Sequence, residues 1–358
     1  MTKPTMRDVA KHANVSVATV SRVINLPHLT SDRAQLKVHQ VIEELGYDTT
    51  QLLKPKAPKY HHKKILVIDN QLFSNSQINK GLESSAKAAG YKLLYLRFLY
   101  FTDYETQQII HYTLNHKVDG IIFINDSPYL HELQKLITVL PPLVVLNYFS
   151  LDYSCLYFDH LTIAFKATEY LLQQGHNRIA CLIPSREKQS NIYIQQGYTQ
   201  ALNRLGHSFN IDYFIEGCCT FESGRLAVKT LMKSRQPPTA LICFDSTNLN
   251  YLDEDCFIEA SSSQPSSEQS LLKGVLYQIK KLGLVIPGHL SIMHTTHLQQ
   301  HEVFTEPLLT HIHKPLYKMG EEGFALLLTK LKSYSVANTS KLIPTELVIR
   351  HSVLDKTV

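Results

Sequence analysis

The sequence predicts a small all-α head followed by an α/β body of two doubly wound lobes. Two short helical patterns meet at a tight joint between residues 5 and 25, and a third helical pattern follows them. From residue 64 onward, short apolar runs alternate with helical patterns, as is typical of parallel sheets whose strands are joined by helices. At 358 residues the chain is long enough for one small domain and a larger one.

The composition is that of a globular protein without a membrane-spanning segment. The chain is 44% hydrophobic and 19% charged, and no apolar run approaches the roughly 18 residues that cross a bilayer. Its first ten residues, MTKPTMRDVA, lack the apolar core of a signal peptide, and its six cysteines show no framework spacing. We therefore expect a cytoplasmic protein with no membrane partner.

The basic charge is concentrated at the start of the chain. Residues 1–64 hold 11 Lys and Arg against 5 Asp and Glu, a net charge of +6, whereas the remainder holds 25 against 26. A basic head on a near-neutral body favours nucleic-acid binding, because phosphate neutralisation supplies affinity that is independent of sequence. A flexible basic tail is the alternative that charge alone leaves open.

The first helical pattern begins at a predicted capping box. Thr5 supplies a side-chain oxygen and Asp8 a carboxylate three residues later. The apolar residues that follow at helical spacing are Met6, Val9, Ala10 and Ala13. Residues 13–15, Ala-Asn-Val, then break the pattern, so we expect the joint there.

The second helical pattern starts from a cap formed by Ser16 and Thr19. Val20, Val23 and Ile24 have the spacing of a face that packs on a core. The opposite face then carries small and polar residues that can lie close to a base edge, namely Val17, Ala18, Ser21, Arg22 and Asn25. Arg22 is the strongest candidate for reading a base.

A third helix completes the predicted head. Ser31 is its expected cap and Gly46 its C-terminal stop. Its apolar stripe is predicted to consist of Ala34, Val38, Val41, Ile42 and Leu45. Three short helices with these stripes suffice for a small core.

The run DVAxxAxVSxATVSRVIN from Asp8 to Asn25 resembles the helix-turn-helix of the lactose-repressor family. The resemblance implies that Ser16 and Thr19 contact phosphates and that Val17, Ala18 and Arg22 read bases in the major groove. It also implies a homodimer bound to a near-palindromic double-stranded DNA operator. The DNA-binding set that we predict is Thr5, Ser16, Val17, Ala18, Thr19, Ser21, Arg22, Asn25 and Ser31. That these are ordinary helix-surface residues remains the alternative.

The joint between head and body departs from the family pattern. Family members usually have a hinge helix there, whose leucine wedges into the minor groove. Here Pro55 and Pro58 stand where the helix would run, and proline removes a helical donor. We expect a semi-flexible basic linker. The alternative is a short helical turn in which Leu52 or Leu53 is the wedge.

The body is predicted from buried-strand runs and the joints between them. The runs are ILVI at 65–68, LLYL at 93–96, GIIFI at 120–124, LVVL at 143–146, IACLI at 179–183 and ALICF at 240–244. We place the head at 1–48, the linker at 49–63 and the body at 64–358. Lobe one is assigned about 64–160 and 293–320, and lobe two about 161–292 and 321–358. Residues 245–269, acidic and then Ser-rich, are predicted to be an inserted loop, either a surface excursion or a partner-docking segment.

Within the resemblance, the body is similar to the type I periplasmic-binding-protein core, whose lobes close on a small effector. The segments Gln174-Gly175-His176, Gln196-Gly197-Tyr198 and Gln236-Pro237-Pro238 resemble the cytidine repressor branch of the family. This implies a nucleoside or sugar effector and joint action on DNA with the cyclic-AMP receptor protein.

The effector anchors that the resemblance implies are incomplete in this chain. The position of the usual arginine is Ile194, and the aspartate of the usual Gly-Phe-Asp turn is replaced by Thr296. Phe221 remains at the aromatic position, and Asp159 also remains, followed by His160 instead of asparagine. Loss of two polar anchors is expected to weaken effector binding, so a regulator with a ligand-independent body is an alternative.

No motif supports catalysis. A Walker loop, Gly-x-Ser-x-Gly and Gly-x-Gly-x-x-Gly are all missing from the sequence, so we predict neither an enzyme nor a cofactor. His294, His297 and His301 have the spacing of one helix face, but no accompanying ligand motif favours zinc. A sugar- or nucleoside-binding protein, or an enzyme, with an incidental basic head is the alternative of a different class.

Overall fold

The structure is a computed structural model. It describes residues 4–17, 19, 20, 23, 31–47, 62–69, 76–97, 109, 110, 113, 118–125, 130, 141–184, 189–218, 220–244, 271–295, 307–332 and 337–357. Several predicted features lie outside the described residues: Ala18, Ser21, Arg22, Asn25, Leu52, Leu53, Thr296 and the 245–269 insertion.

The described part of the head has a compact apolar core. Helix α1 spans Met6–His12 and helix α2 spans Asp32–Leu45, with helical residues at 17, 19, 20 and 23 between them. The buried side chains come from all three segments: Val9, Ala10, Ala13, Val20, Val23, Val38 and Val41. Gly46 ends α2 in the left-handed conformation, with φ of 59°. The predicted stripes of the head helices are therefore confirmed for these residues.

The first sheet is entirely parallel. Its strands are β1 (Lys64–Asp69), β2 (Lys92–Arg97), β3 (Gly120–Ile124), β4 (Leu143–Leu146), β5 (Ser154–Tyr157) and β11 (Ser340–Leu342). They lie in the order β2-β1-β3-β4-β5-β11. Helix α3 (Ser76–Ala89) connects β1 to β2, so this sheet is wound as the sequence predicts.

The second sheet repeats this arrangement. Its strands are β6 (Ile179–Leu182), β7 (Phe214–Ile215), β8 (Ala240–Cys243), β9 (Ser291–His294), β10 (Thr310–His313) and β12 (Glu346–Val348). The order is β7-β6-β8-β9-β10-β12, with only β12 antiparallel to its neighbour. Its described helices are α4 (His160–Gln173), α5 (Gln189–Arg204), α6 (Phe221–Leu231) and α7 (Leu271–Lys281).

All six predicted apolar runs lie in strands β1, β2, β3, β4, β6 and β8. Most of these strands are buried along their whole length, as expected for parallel sheets covered on both faces. The glycines just beyond the ends of α3, α4, α5 and α7, namely Gly90, Gly175, Gly206 and Gly283, have φ between 67° and 79°. Among the described helices, none is long and apolar enough to cross a membrane.

Within the part of the chain that the structure describes, the backbone passes between the two sheets at three places. Phe158 and Asp159 lead from β5 to α4, Lys314 and Pro315 lead from β10 to α8 (Leu316–Lys332), and residues 343–345 lead from β11 to β12. Phe158 and Ile343 are buried in an apolar cluster that also includes strand residues of both sheets. The lobes therefore share a core at the crossings.

The lobe assignment of the C-terminal third requires a correction. Residues 293–320 were assigned to lobe one, but β10 pairs with β9 in the second sheet, with His311 opposite His294. Residues 321–358 are predicted in lobe two, but α8 packs on α3 and on β4 of lobe one, and β11 pairs with β5. Strand β12 does lie in the second sheet. The prediction fails at β10 because this strand carries polar and histidine residues instead of an apolar run. It fails at α8 and β11 because a crossing between sheets leaves no periodic signal in the sequence.

Helices α3 and α8 pack with their backbones in close contact. A Cβ on Gly320 would lie 2.2 Å from the carbonyl oxygen of Ile78, and one on Gly81 would lie 2.1 Å from that of Tyr317. The two glycines thus allow the helices to approach each other. As a result, α8 covers the lobe-one core around Leu82 and Phe324.

We predict that Gly320→Ala lowers the free energy of unfolding by about 1–3 kcal/mol, because the added methyl group forces these backbones apart. The matched control is Gly288→Ala, whose Cβ would meet nothing closer than 3.7 Å and which is expected to change stability by no more than about 0.5 kcal/mol. Urea denaturation measures both. Equal stability of the two variants would contradict the close packing of α3 on α8.

Candidate DNA-reading surface and effector edge

The capping box predicted at α1 is present. The backbone N–H of Thr5 donates to Asp8 Oδ2 at 2.8 Å, and the Thr5 hydroxyl donates to the same oxygen at 2.6 Å. Both bonds lower the pKa of the Asp8 carboxyl, and the bond from the Thr5 hydroxyl has the larger effect. Thr5 therefore fixes the start of α1, which in turn places Val9 and Ala10 in the core of the head.

The joint between the first two head helices is a tight turn. Asn14 has φ of 51°, a left-handed conformation that asparagine tolerates better than most residues. The N–H of Val15 then donates to the carbonyl of Ala10 at 3.0 Å. This turn brings the next helix back across α1, as the sequence predicts.

The second helix of the head begins at Ser16. The backbone N–H of Thr19 donates to Ser16 Oγ at 3.0 Å, and the two hydroxyl oxygens lie 2.8 Å apart. Val20 and Val23 are buried, whereas Ser16 is exposed and Val17 is 42% exposed. The helix therefore presents its first turn to solvent on the side opposite the core, as expected for a surface that approaches DNA.

The other two head helices also carry exposed basic side chains. Lys11 and His12 end α1, and Arg33 and Lys37 lie near the start of α2; all four are exposed. Ser31 stands at the N-cap position of α2. The sequence analysis did not single out these basic residues, although the charge excess of the first 64 residues contained the signal.

In the body, the order of the strands indicates where a ligand can bind. In both sheets the winding reverses direction beside the first strand, between β1 and β3 and between β6 and β8. Open α/β sheets bind ligands beyond the carboxyl ends of the strands at such switch points. The end of β1 at Asp69 and the residue after β3, Asn125, occupy this place in lobe one.

Two asparagines follow neighbouring strands of the first sheet in left-handed conformations. Asn125 has φ of 70° and Asn147 has φ of 60°, and Asn147 Nδ2 donates to Asn125 Oδ1 at 2.7 Å. Unusual backbone conformations of this kind cluster at binding sites. Sequence reasoning missed this pair, although an asparagine directly after a buried strand run was a visible signal.

Asp159, predicted to contact an effector, caps helix α4. Its Oδ1 accepts from the backbone N–H of Thr162 at 3.1 Å, and its Oδ2 accepts from the Thr162 hydroxyl at 2.5 Å. The adjacent His160 has a pKa lowered to about 3 by burial and by the nearby Lys314 cation, against the opposing effect of Asp159. Lys314 lies over the ring of Phe158, with 6.0 Å between Nζ and the ring centroid. Two of the three crossings thus meet in one charged cluster.

The other predicted effector positions lie in lobe two. Ile194 is 4% exposed and packed in the apolar core, so it offers no polar group to a ligand. Phe221 begins α6, after the Thr220 cap, and its ring centroid lies 5.4 Å from that of Tyr277. Thr295 follows β9 and is buried.

The histidines suggested as a helical face do not form one. His294 belongs to strand β9, where its ring stacks on that of His311 with centroids 5.1 Å apart, while His297 and His301 lie outside the described residues. Within the described ranges, no group of three potential ligands has a geometry that could hold a metal ion. The helical expectation was wrong for His294 because its neighbours pair as a sheet.

Comparison with known proteins identifies the family. Residues 5–50 match the model described as bacterial regulatory proteins of the lacI family, and residues 61–248 match periplasmic binding proteins and the sugar binding domain of the LacI family. The HTH-type transcriptional repressor CytR of Escherichia coli K12 is 32% identical over 356 residues, covering 98% of this chain and 96% of that protein. The chain belongs to the LacI family.

Other members of the family extend this result. The HTH-type transcriptional repressor PurR of Vibrio vulnificus is 26% identical over 355 residues, 98% of each chain. A transcriptional regulator CelR–cellobiose complex matches with a TM-score of 0.66 at 21% identity, covering 98% of this chain and 99% of that one. A LacI-family regulator from Enterococcus faecium with bound ribose matches with a TM-score of 0.63 at 18% identity, covering 81% and 99%. These structures share the fold, two parallel-sheet lobes.

We predict that His160 makes the stability of the body depend on pH. Its pKa is lowered to about 3 in the folded chain from the ordinary histidine value of about 6.5, so this contribution to stability is fully present above about pH 6.5 and falls as the pH drops toward 3, by at most roughly 1.4 kcal/mol per pH unit. In thermal unfolding from pH 7 to 5, His160→Asn is expected to flatten the pH dependence relative to wild type. The substitution His351→Asn at an exposed position serves as the control, and equal slopes for all three proteins would contradict a neutral His160 in the folded chain.

Proposed function

We propose that the protein is a homodimeric transcriptional repressor that binds a near-palindromic DNA operator through the head. The observation that carries the proposal is the second head helix, capped at Ser16, with Val20 and Val23 buried and Val17 exposed. It lies inside the segment that matches the family's regulatory-protein model. The named relatives are transcriptional repressors, which supports a regulator and not an enzyme.

Distinct roles follow for the predicted DNA contacts. We assign phosphate contacts to Ser16 and Thr19, because hydroxyl groups at a helix N-terminus suit an anion. We assign base contacts to Val17, Ala18 and Arg22, with Arg22 suited to guanine through two parallel hydrogen bonds. Thr5, Ser21, Asn25 and Ser31 complete the proposed surface, and Leu52 or Leu53 remains the proposed wedge of the linker at 49–63.

We predict that Arg22→Ala weakens binding to the selected operator by about 1–3 kcal/mol and relaxes base preference at one position of each half-site, because one base contact is lost. The measurement is a titration of operator and scrambled DNA at fixed salt. Arg235→Ala removes the same charge from an exposed site in lobe two and is expected to leave operator affinity unchanged. Equal operator affinity of Arg22→Ala and wild type would refute the proposed reading helix.

For the body we propose a nucleoside or sugar effector that binds at the carboxyl edges of the two sheets. Support comes from the switch-point topology and from the family model of residues 61–248, which includes sugar binding domains. A ligand-independent body is the second candidate, favoured by Ile194 in the core in place of a polar anchor. Thermal unfolding with and without ligand distinguishes the two candidates, because a ligand that binds only the folded body raises its melting temperature.

The proposed partners are the operator, a second copy of the chain and the cyclic-AMP receptor protein. The last is carried over from the resemblance to the cytidine repressor branch, supported by the 32% identity to CytR. Joint action with a second DNA-bound protein would also suit a linker that contains Pro55 and Pro58, because such a linker leaves the head free to follow operators of different geometry.

A further inference from the structure

We infer that the effector is anchored from lobe one, by the buried side-chain amides of Asn79 and Asn125, through a neutral ligand group that pairs a hydrogen-bond donor with an acceptor. The inference rests on the proposed effector function of the body and names the residues and the ligand chemistry that this chain uses.

Both amides lie at the switch point of the first sheet. Asn125 follows β3, the neighbour of β1 in the sheet. Asn79 lies in the first turns of α3, the helix that follows β1. Because helices that follow parallel strands begin at the carboxyl edge of the sheet, this topology places both residues at the edge where β1 ends at Asp69.

Both amides are buried with unused hydrogen-bonding capacity. Asn79 is 4% exposed, and neither its Oδ1 nor its Nδ2 has a hydrogen-bond partner in the structure. Asn125 is fully buried; its Oδ1 accepts from Asn147, whereas its Nδ2 has no acceptor. Buried polar groups are nearly always paired, so each exception calls for an explanation.

A ligand at this edge explains both exceptions. An amide held without partners destabilises the protein, and a chain retains that cost at sites where another molecule completes the pairing. At the same edge, Asn125 and Asn147 follow β3 and β4 in left-handed conformations, which orient the two linked amides at the ends of neighbouring strands.

The open groups define the ligand chemistry. Asn79 offers one acceptor and a donor, and Asn125 offers a further donor. Their complement is a neutral group with an acceptor beside a donor, which is found both in the amide edge of a nucleobase and in the vicinal hydroxyls of a ribose. In lobe two, Ile194 stands where the family resemblance implies an arginine, and it offers no polar group. The polar contacts to the ligand therefore come mainly from lobe one in this proposal.

The test compares three full-length variants by calorimetric titration and thermal unfolding, with cytidine, uridine, cytosine and ribose as probes. Asn79→Leu removes the open amide at similar size, and Asn79→Ala removes it without adding bulk. Gln278→Leu is the matched control, because Gln278 is also a buried amide with an unpaired oxygen, but it lies on α7 in lobe two.

We expect at least tenfold weaker nucleoside binding in both Asn79 variants and unchanged binding in Gln278→Leu. Without ligand, Asn79→Leu is expected to melt a few degrees higher than wild type, because a buried amide without partners has been removed. A purely structural asparagine would give the opposite shift. Competition by ribose would assign the amides to the sugar, and competition by cytosine would assign them to the base.

Two outcomes overturn the inference, and they differ. If the wild type binds a nucleoside and both Asn79 variants bind it with the same Kd, lobe-one anchoring is wrong while the effector function stands. If none of the four probes binds or stabilises the wild type at millimolar concentration, the nucleoside or sugar effector and its anchoring both fail, and the ligand-independent regulator replaces them.

Discussion

Burial of Val20 and Val23 is the constraint on which the proposed DNA-reading surface depends. These two side chains pack with Val9 and Val38 in the core of the head, and this contact fixes the rotation of the second helix. Once it is fixed, Ser16 and Val17 must lie on the outside. The hydrogen bonds at Thr5 and Ser16 determine where the helices begin. These hydrogen bonds do not determine which face of the helix is buried, because that face is selected by packing in the apolar core.

The same separation between packing and polar detail holds in the body. Apolar strands and the close contact of α3 with α8 position the carboxyl edge of lobe one, while the residues along that edge are free to differ among regulators of one fold. In this chain they include Asp69, Asn125 and Asn147. The fold is shared with regulators solved with cellobiose and with ribose, and we propose that a few side chains at this edge select the effector of this chain.

The sequence predicted those parts of the structure that local patterns determine. The capping box at Thr5, the core positions of the head and the six apolar strands were all accessible, because each depends on spacing within a few residues. The amide pair of Asn125 and Asn147 was not accessible, because it joins residues 22 positions apart whose proximity depends on strand order. The lobe assignment of β10 and α8 failed for a related reason: crossings between sheets leave no periodic signal.

The central claim, a dimer whose heads read a specific DNA sequence, is tested most directly by selecting binding sites from a random double-stranded DNA library with the purified full-length protein. The account predicts an enriched motif of two inverted half-sites, with centres separated by about 10 base pairs or a multiple of that distance. Recovery of no enriched sequence, or of a single half-site without its inverted partner, would contradict it.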